Sequence, residues 1–73
     1  MGSALYEIRV RGTLGDSVVG SFAGFQAIVG AGETVLRGSV RDQAHLHEVL
    51  EQVDGFGLEL LEVRRVEPPS RGA

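Results

Sequence analysis

Two histidines lie two positions apart, at His45 and His47, and their side chains could bind a metal ion or transfer a proton. They fall in a segment whose apolar spacing predicts a helix. Positions two apart on a helix point about 200° from each other, so these two cannot bind one ion together. We therefore predict no metal site and no cofactor, and only His47 could be the base of an enzyme.

Four residues are candidates for binding a small ligand. Gln43 precedes His47 by four positions, so both side chains lie toward one flank of the predicted helix and could contact one molecule. Arg9 and Arg37 are predicted on neighbouring central strands, where guanidinium groups could bind a carboxylate or phosphate through paired hydrogen bonds. No catalytic residue is predicted, because no serine has a recognisable base partner.

The composition argues against several classes of partner. The chain has 73 residues, 7 basic and 10 acidic, with a net charge of -3 and no cysteine. This balance offers no basic patch for nucleic acid or an anionic membrane, and the outward strand positions carry no ring for base stacking. The apolar runs are too short to span a membrane and no export signal is recognisable, so a cytoplasmic protein is expected. So short a chain buries only about 60% of its unfolded surface, which makes self-association a reasonable expectation.

Alternating apolar and polar residues predict three strands in the first part of the chain. The strands are Leu5–Arg11, Phe25–Val29 and Thr34–Val40. A short helix capped by Asp16 is predicted between the first two, over Ser17–Ala23. The glycine-rich residues 30–32 predict a β-hairpin, which makes the second and third strands antiparallel.

A second helix and a fourth strand are predicted after the hairpin. Asp42 is the expected N-cap, and the helix should end near Asp54, with Gly55 in the left-handed conformation. Its core side is predicted to carry Leu46, Val49, Leu50 and Val53. The last strand is predicted over Leu58–Val66, before two prolines at 68 and 69 that end it.

The order β-α-β-β-α-β predicts an α+β fold, the ferredoxin-like plait. In it a four-stranded antiparallel sheet has the order 4-1-3-2, and both helices cover one face. The alternative is a βββαβ chain with a single helix. One domain is expected over residues 4–67, with residues 1–3 a possible cloning remnant and 68–73 a disordered tail.

The chain resembles a group of short, uncharacterised bacterial proteins, chiefly actinobacterial. The resemblance covers nearly the whole predicted fold, and it is carried by Tyr6–Gly12, Phe22–Gly24, Thr34–His47, Gly57, Leu58, Leu61 and Val63. Its most specific part is Asp-Gln-Ala-His-Leu-His at residues 42–47. The group implies this fold and no assigned activity. Abundant arginine without any lysine is also typical of a GC-rich genome.

The uncovered face of the predicted sheet suggests a homodimer. Besides its charged residues this face is expected to carry apolar ones, and the predicted interface consists of Ile28, Val35, Leu60 and Glu62. Pairing through an edge strand is the rival geometry.

Three functional hypotheses follow from these candidates. The first is a non-enzymatic oligomeric module that binds itself or a protein partner. The second is a regulatory domain that senses a small ligand or anion, like ACT domains by fold analogy alone. The third is a small enzyme that works at a dimer cleft.

Overall fold

Four strands and two helices follow one another in the order that the sequence predicts. The computed structural model describes residues 3–66. The elements are β1 (Ala4–Arg11), α1 (Asp16–Gly20), β2 (Phe25–Val29), β3 (Glu33–Val40), α2 (Gln43–Gly55) and β4 (Leu60–Val66). The βββαβ alternative with one helix is therefore not the fold that forms. No helix within these residues is long and apolar enough to cross a membrane.

The strands form one antiparallel sheet in the order β2-β3-β1-β4. This is the predicted order 4-1-3-2 read from the other side. Along β1 and β3 the burial alternates, since Ile8 and Val10 are buried opposite Leu36 and Thr34, and the residues between them face outward. The two-residue period of these strands thus separates a core face from an open face.

Both helices contribute side chains to the core on the same face of the sheet. From α2, Val49 and Val53 are buried, whereas Leu46 and Leu50 are only half-buried against the same cluster. Val18 of α1 also packs there, and Phe22, which follows α1, is fully buried. The predicted core side of α2 is thus confirmed, with its two valines more deeply placed than its two leucines.

Helix α1 is shorter than predicted and is not capped as predicted. It ends at Gly20 instead of residue 23, and its N-cap is Gly15, which makes no side-chain hydrogen bond. Asp16 is the first helical residue, so its carboxylate lies in the first turn and is not at the N-cap position. Because the segment is only five residues long, core contacts hold it more than helix propensity does.

The N-terminal cap of α2 is confirmed. The Asp42 side chain accepts a hydrogen bond from the backbone N–H of His45 at 2.8 Å. In return, the Nδ1 of the His45 ring accepts a hydrogen bond from the backbone N–H of Arg41 at 3.0 Å. His45 is therefore part of the helix cap, which accounts for its presence in structural terms.

Helix α2 ends at Gly55, close to the predicted end near Asp54, but the left-handed glycine lies two residues later than predicted. The left-handed residue is Gly57, with φ +73°, and Gly55 is still helical. The N–H of Gly57 donates to the carbonyl of Asp54, and the N–H of Leu58 donates to that of Val53, a Schellman motif. Because Leu58 takes part in this motif, β4 begins at Leu60 instead of Leu58.

Gly38 lies beneath the ring of Phe25. A methyl group at this position would come within 2.7 Å of both the Gly24 carbonyl oxygen and the ring carbon Cγ of Phe25. Phe25 and Gly38 are paired in register on adjacent strands, so the missing side chain of one makes room for the ring of the other. The close approach explains why β3 contains a glycine in its middle.

Two predicted segments fall largely outside the described residues. They are the cloning remnant at residues 1–3, of which only Ser3 is described, and the tail at 68–73.

Candidate functional site

The open face of the sheet brings several of the candidate residues together in cross-strand rows. One row contains Ile28, Val35, Arg9 and Glu62, in that order from β2 to β4. The next row contains Gln26, Arg37, Glu7 and Arg64. The β2 side of the face is thus apolar or uncharged, and the β1–β4 side is charged.

The charged part of the face is an ordered ladder of ion pairs. Arg9 lies between two carboxylates, 3.6 Å from Glu33 and 3.5 Å from Glu62. Glu7 lies between two guanidinium groups, 3.6 Å from Arg37 and 3.0 Å from Arg64. Charges of opposite sign therefore alternate across the strands, and each attracts its neighbours.

A further pair continues the ladder at the end of β1. The Nε of Arg11 donates to Glu59 at 2.8 Å, while the backbone N–H of Arg11 donates to the Glu59 carbonyl at 3.0 Å. The hydrogen bond from Glu59, and then its charge, raise the pKa of Arg11. Arg11 stays positively charged at any ordinary pH, so its ion pair with Glu59 connects the end of β1 to the residue before β4.

Arg9 and Arg37 share the open face, as predicted, but neither guanidinium group faces an empty site. Each already contacts a glutamate, and they lie diagonally, because Arg9 is in register with Val35 and Arg37 with Glu7. A bound carboxylate or phosphate would have to compete with carboxylates that the fold already holds in place. The geometry therefore gives the anion-sensing hypothesis little support.

Gln43 and His47 also lie together, along a depression on the exposed flank of α2. Leu46 and Leu50 form part of its lining. The depression measures about 590 Å³ but is open to solvent, and the Nε2 of His47 is 3.2 Å from a Glu51 carboxylate oxygen. Small-molecule sites bury about 70–90% of their ligand, which an open flank does not do.

Two smaller clefts flank α2, each of about 180 Å³. One lies at its N-terminal end beside Tyr6 and Val40, and the other lies between Phe22 and His45. Ligand pockets usually occupy about 300–1,000 Å³, so both clefts are small for an organic ligand. Within residues 3–66, no group of three or more acidic or histidine side chains is placed to hold a metal ion.

The predicted interface residues separate into two groups. Ile28 and Val35 are direct neighbours on β2 and β3, and Ile28 is 48% exposed. Glu62 belongs to the ion-pair ladder through Arg9. Leu60 is on the far edge strand, where a register shift pairs it with Val10, outside the regular alternation of β4. The structure therefore brings together an apolar pair beside β2 and places the other two residues away from it.

Two further residues of β2, Ala27 and Val29, are not among the residues predicted from the sequence. They matter because β2 is an edge strand with no described strand on its outer side, and Val29 is 56% exposed. A signal for them was present in the sequence, since residues 25–29 contain no charge and no proline. Exposed edge strands usually carry such residues as protection against pairing.

Comparison with known proteins gives one match. The model of a family described as "Domain of unknown function (DUF8691)" matches residues 5–64. No curated protein and no solved structure matches the chain. The family match confirms the resemblance to uncharacterised proteins. It covers both helices, β2 and β3 completely, and all of β1 and β4 except Ala4 at the start of β1 and residues 65–66 at the end of β4.

Proposed function

The chain belongs to the DUF8691 family, which is described as a domain of unknown function. From the geometry of the chain we propose that it is a non-enzymatic module that forms a homodimer. One observation carries the proposal. On the uncharged edge strand β2, the exposed Ile28 is paired with the half-buried Val35 on the open face, and the exposed Val29 follows it on the opposite face, paired with Thr34. Exposed apolar side chains on an uncharged edge strand are typical of a protein contact.

The chemistry of the other candidate sites supports the same choice. His45 is part of a helix cap, His47 makes an exposed contact with Glu51, and Arg9 and Arg37 of the open face contact glutamates. Every buried side-chain nitrogen or oxygen within the described residues has a hydrogen-bond partner. The two histidines and the two arginines are thus each in contact with a partner that the fold supplies.

The finer description of the fold is part of the proposal. We take the βαββαβ order, the 4-1-3-2 sheet and the core on one face as a ferredoxin-like plait with a much reduced first helix. Both crossovers are then right-handed, as strand–helix–strand units almost always are. A bacterial, cytoplasmic origin belongs to the same proposal, and fractionation of the source cells followed by immunoblotting would test the compartment.

The molar mass in solution tests the proposal. Size-exclusion chromatography with light scattering, run at several concentrations up to high micromolar, should give about twice the 7.8 kDa of one chain at the upper end. The melting temperature should also rise with concentration, because association stabilises the folded form by mass action. A mass of one chain throughout would overturn the proposal.

A screen of metabolites by thermal shift separates this function from ligand sensing. A module that acts by association should show no ligand that raises the melting temperature, whereas a sensing domain should show one. If a hit appears, substitution of Gln43 and of Arg37 would show whether it binds the flank of α2 or the open face.

A further inference from the structure

We propose that the homodimer forms through β2, which pairs antiparallel with β2 of a second copy across a two-fold axis at Ile28. This inference rests on the proposed function and specifies its contact. It follows from three features of the edge strand: backbone groups that have no partner strand within residues 3–66, the lack of protective residues, and a register in which a second copy would pair with those groups.

The backbone groups that point outward from β2 can be identified from its pairing with β3. The N–H of Gly30 donates to the carbonyl of Glu33 at 2.8 Å, so these two residues form a hydrogen-bonded pair. Such pairs alternate with non-bonded ones along an antiparallel ladder. Gly30, Ile28 and Gln26 therefore direct their peptide groups toward β3.

The intervening residues direct their peptide groups away from β3, toward solvent. They are Phe25, Ala27 and Val29, and the N–H of Phe25 already donates to the Phe22 carbonyl at 3.0 Å. The edge of β2 therefore offers two donors and two acceptors, on Ala27 and Val29, together with the carbonyl of Phe25. Another extended strand would satisfy them.

The two edges of the sheet are protected to different degrees. β4 carries Glu62, Arg64 and Arg65 and contains a register shift, both of which hinder pairing with a further strand. β2 has neither feature, and two of its apolar side chains, Ile28 and Val29, are 48% and 56% exposed. The β2 edge of the sheet is thus open to association, whereas the β4 edge is protected against it.

A second copy of the chain fits this edge in one favoured register. With Ile28 opposite Ile28 of the second copy, Ala27 faces Val29 of that copy in both halves, and four hydrogen bonds use every outward donor and acceptor of these residues. With the axis at Ala27 instead, the Val29 carbonyl would face the N–H of Phe25, which is already bonded. The axis at Ile28 also places two exposed isoleucines in contact.

The charge distribution favours pairing of the two copies through β2 over stacking of their open faces. β2 has no charge, so two copies meet there without repulsion. Stacking the open faces would remove the ladder around Glu7 and Arg9 from water, and the desolvation of paired charges can exceed their attraction. The strand contact is short, so we expect an affinity in the region of micromolar.

Cysteine crosslinking tests the register, since the natural chain has no cysteine. In an Ile28→Cys variant the two opposed Cα atoms should be about 4.5 Å apart, the spacing of a non-hydrogen-bonded pair and within reach of a disulfide. The matched control is Gln26→Cys on the same strand and face. There the two cysteines lie four residues apart along the paired strands, about 13 Å, which is too far.

The expected result after mild oxidation is a reducible dimer for Ile28→Cys and a monomer for Gln26→Cys on a denaturing gel. Hydrogen exchange of the unmodified chain provides a second measurement that needs no variant. The amides of Ala27 and Val29 should become more protected as concentration rises, while that of Ile28, already bonded to β3, should change little.

The outcomes separate this inference from the function on which it rests. A dimeric mass together with no Ile28→Cys crosslink, or with equal crosslinking of Gln26→Cys, would overturn β2 pairing and leave dimerisation standing. Amide protection at Ala27 and Val29 that is independent of concentration, in a sample that dimerises, would do the same. A single-chain mass at high micromolar concentration would overturn both.

Discussion

Replacing Gly38 by alanine should destabilise the protein, although glycine is usually a poor residue for a strand. The backbone of Gly38 is not in the left-handed region, so alanine is conformationally allowed there. Taken alone, the change would stabilise by about 0.4–1 kcal/mol, because alanine restricts the unfolded chain. The outcome therefore depends on whether the added methyl group fits.

The structure shows that the methyl group does not fit. Its three nearest atoms would be the Gly24 carbonyl oxygen at 2.7 Å and Cγ and Cδ2 of the Phe25 ring at 2.7 and 2.8 Å. A backbone oxygen and the inner atoms of a packed ring cannot move independently of the chain. Overpacking of this kind costs about 1–3 kcal/mol. The net expectation is a loss of about 1.3 kcal/mol, which is the difference between the midpoints of the two terms, about 2 and about 0.7 kcal/mol.

Urea denaturation followed by circular dichroism measures this loss directly, and thermal melting should show a fall of roughly 4–8 °C per kcal/mol. The matched control is Gly20→Ala, at an exposed position where the added methyl group meets nothing within 4 Å. That variant should be unchanged or slightly stabilised. A Gly38→Ala protein as stable as the parent would refute the close packing of Phe25 on β3.

Three further predictions concern stability and binding. Asp42→Ala should lower the free energy of unfolding by about 1 kcal/mol in urea titrations, because the N-cap hydrogen bond to the His45 amide is lost, and an unchanged value would show that the cap is not formed in solution. Leu36→Ala should cost about 2–5 kcal/mol at a fully buried site, and Leu50→Ala should cost less because Leu50 is half-buried, so the reverse order would contradict the packing. Fluorescence anisotropy at physiological salt should detect no submicromolar binding to duplex DNA or single-stranded RNA, since the arginines of the open face are matched by glutamates, and tight binding would contradict this charge distribution.

Local signals account for the parts of the fold that the sequence predicts well. The alternation in β1 and β3 and the cap at Asp42 each agree with the tertiary structure, so element order and sheet order follow from them. The left-handed residue after α2 is Gly57 instead of the predicted Gly55, because two glycines, at 55 and 57, both suit that position. Which of them adopts it depends on where Leu58 can reach the core, and that is a tertiary property.

The candidate site was predictable in part. Alternation places Arg9, Arg37, Ile28 and Val35 on one face, and the structure confirms that placement. The sequence does not specify cross-strand neighbours, so the glutamates that engage both arginines were not connected with them. A register shift in β4 pairs Leu60 with Val10, and a bulge of this kind leaves no clear pattern in a short apolar run.

The oligomeric state of two lysine variants tests the β2 contact most directly. Ile28→Lys would place two like charges opposite each other at the two-fold axis, whereas Gln26→Lys adds the same charge to the same strand and face about 13 Å from its copy. Sedimentation equilibrium at high micromolar concentration should give a dimer for the parent chain and for Gln26→Lys, and a monomer for Ile28→Lys. A dimer that survives Ile28→Lys, or that Gln26→Lys dissociates equally well, would contradict association through this edge.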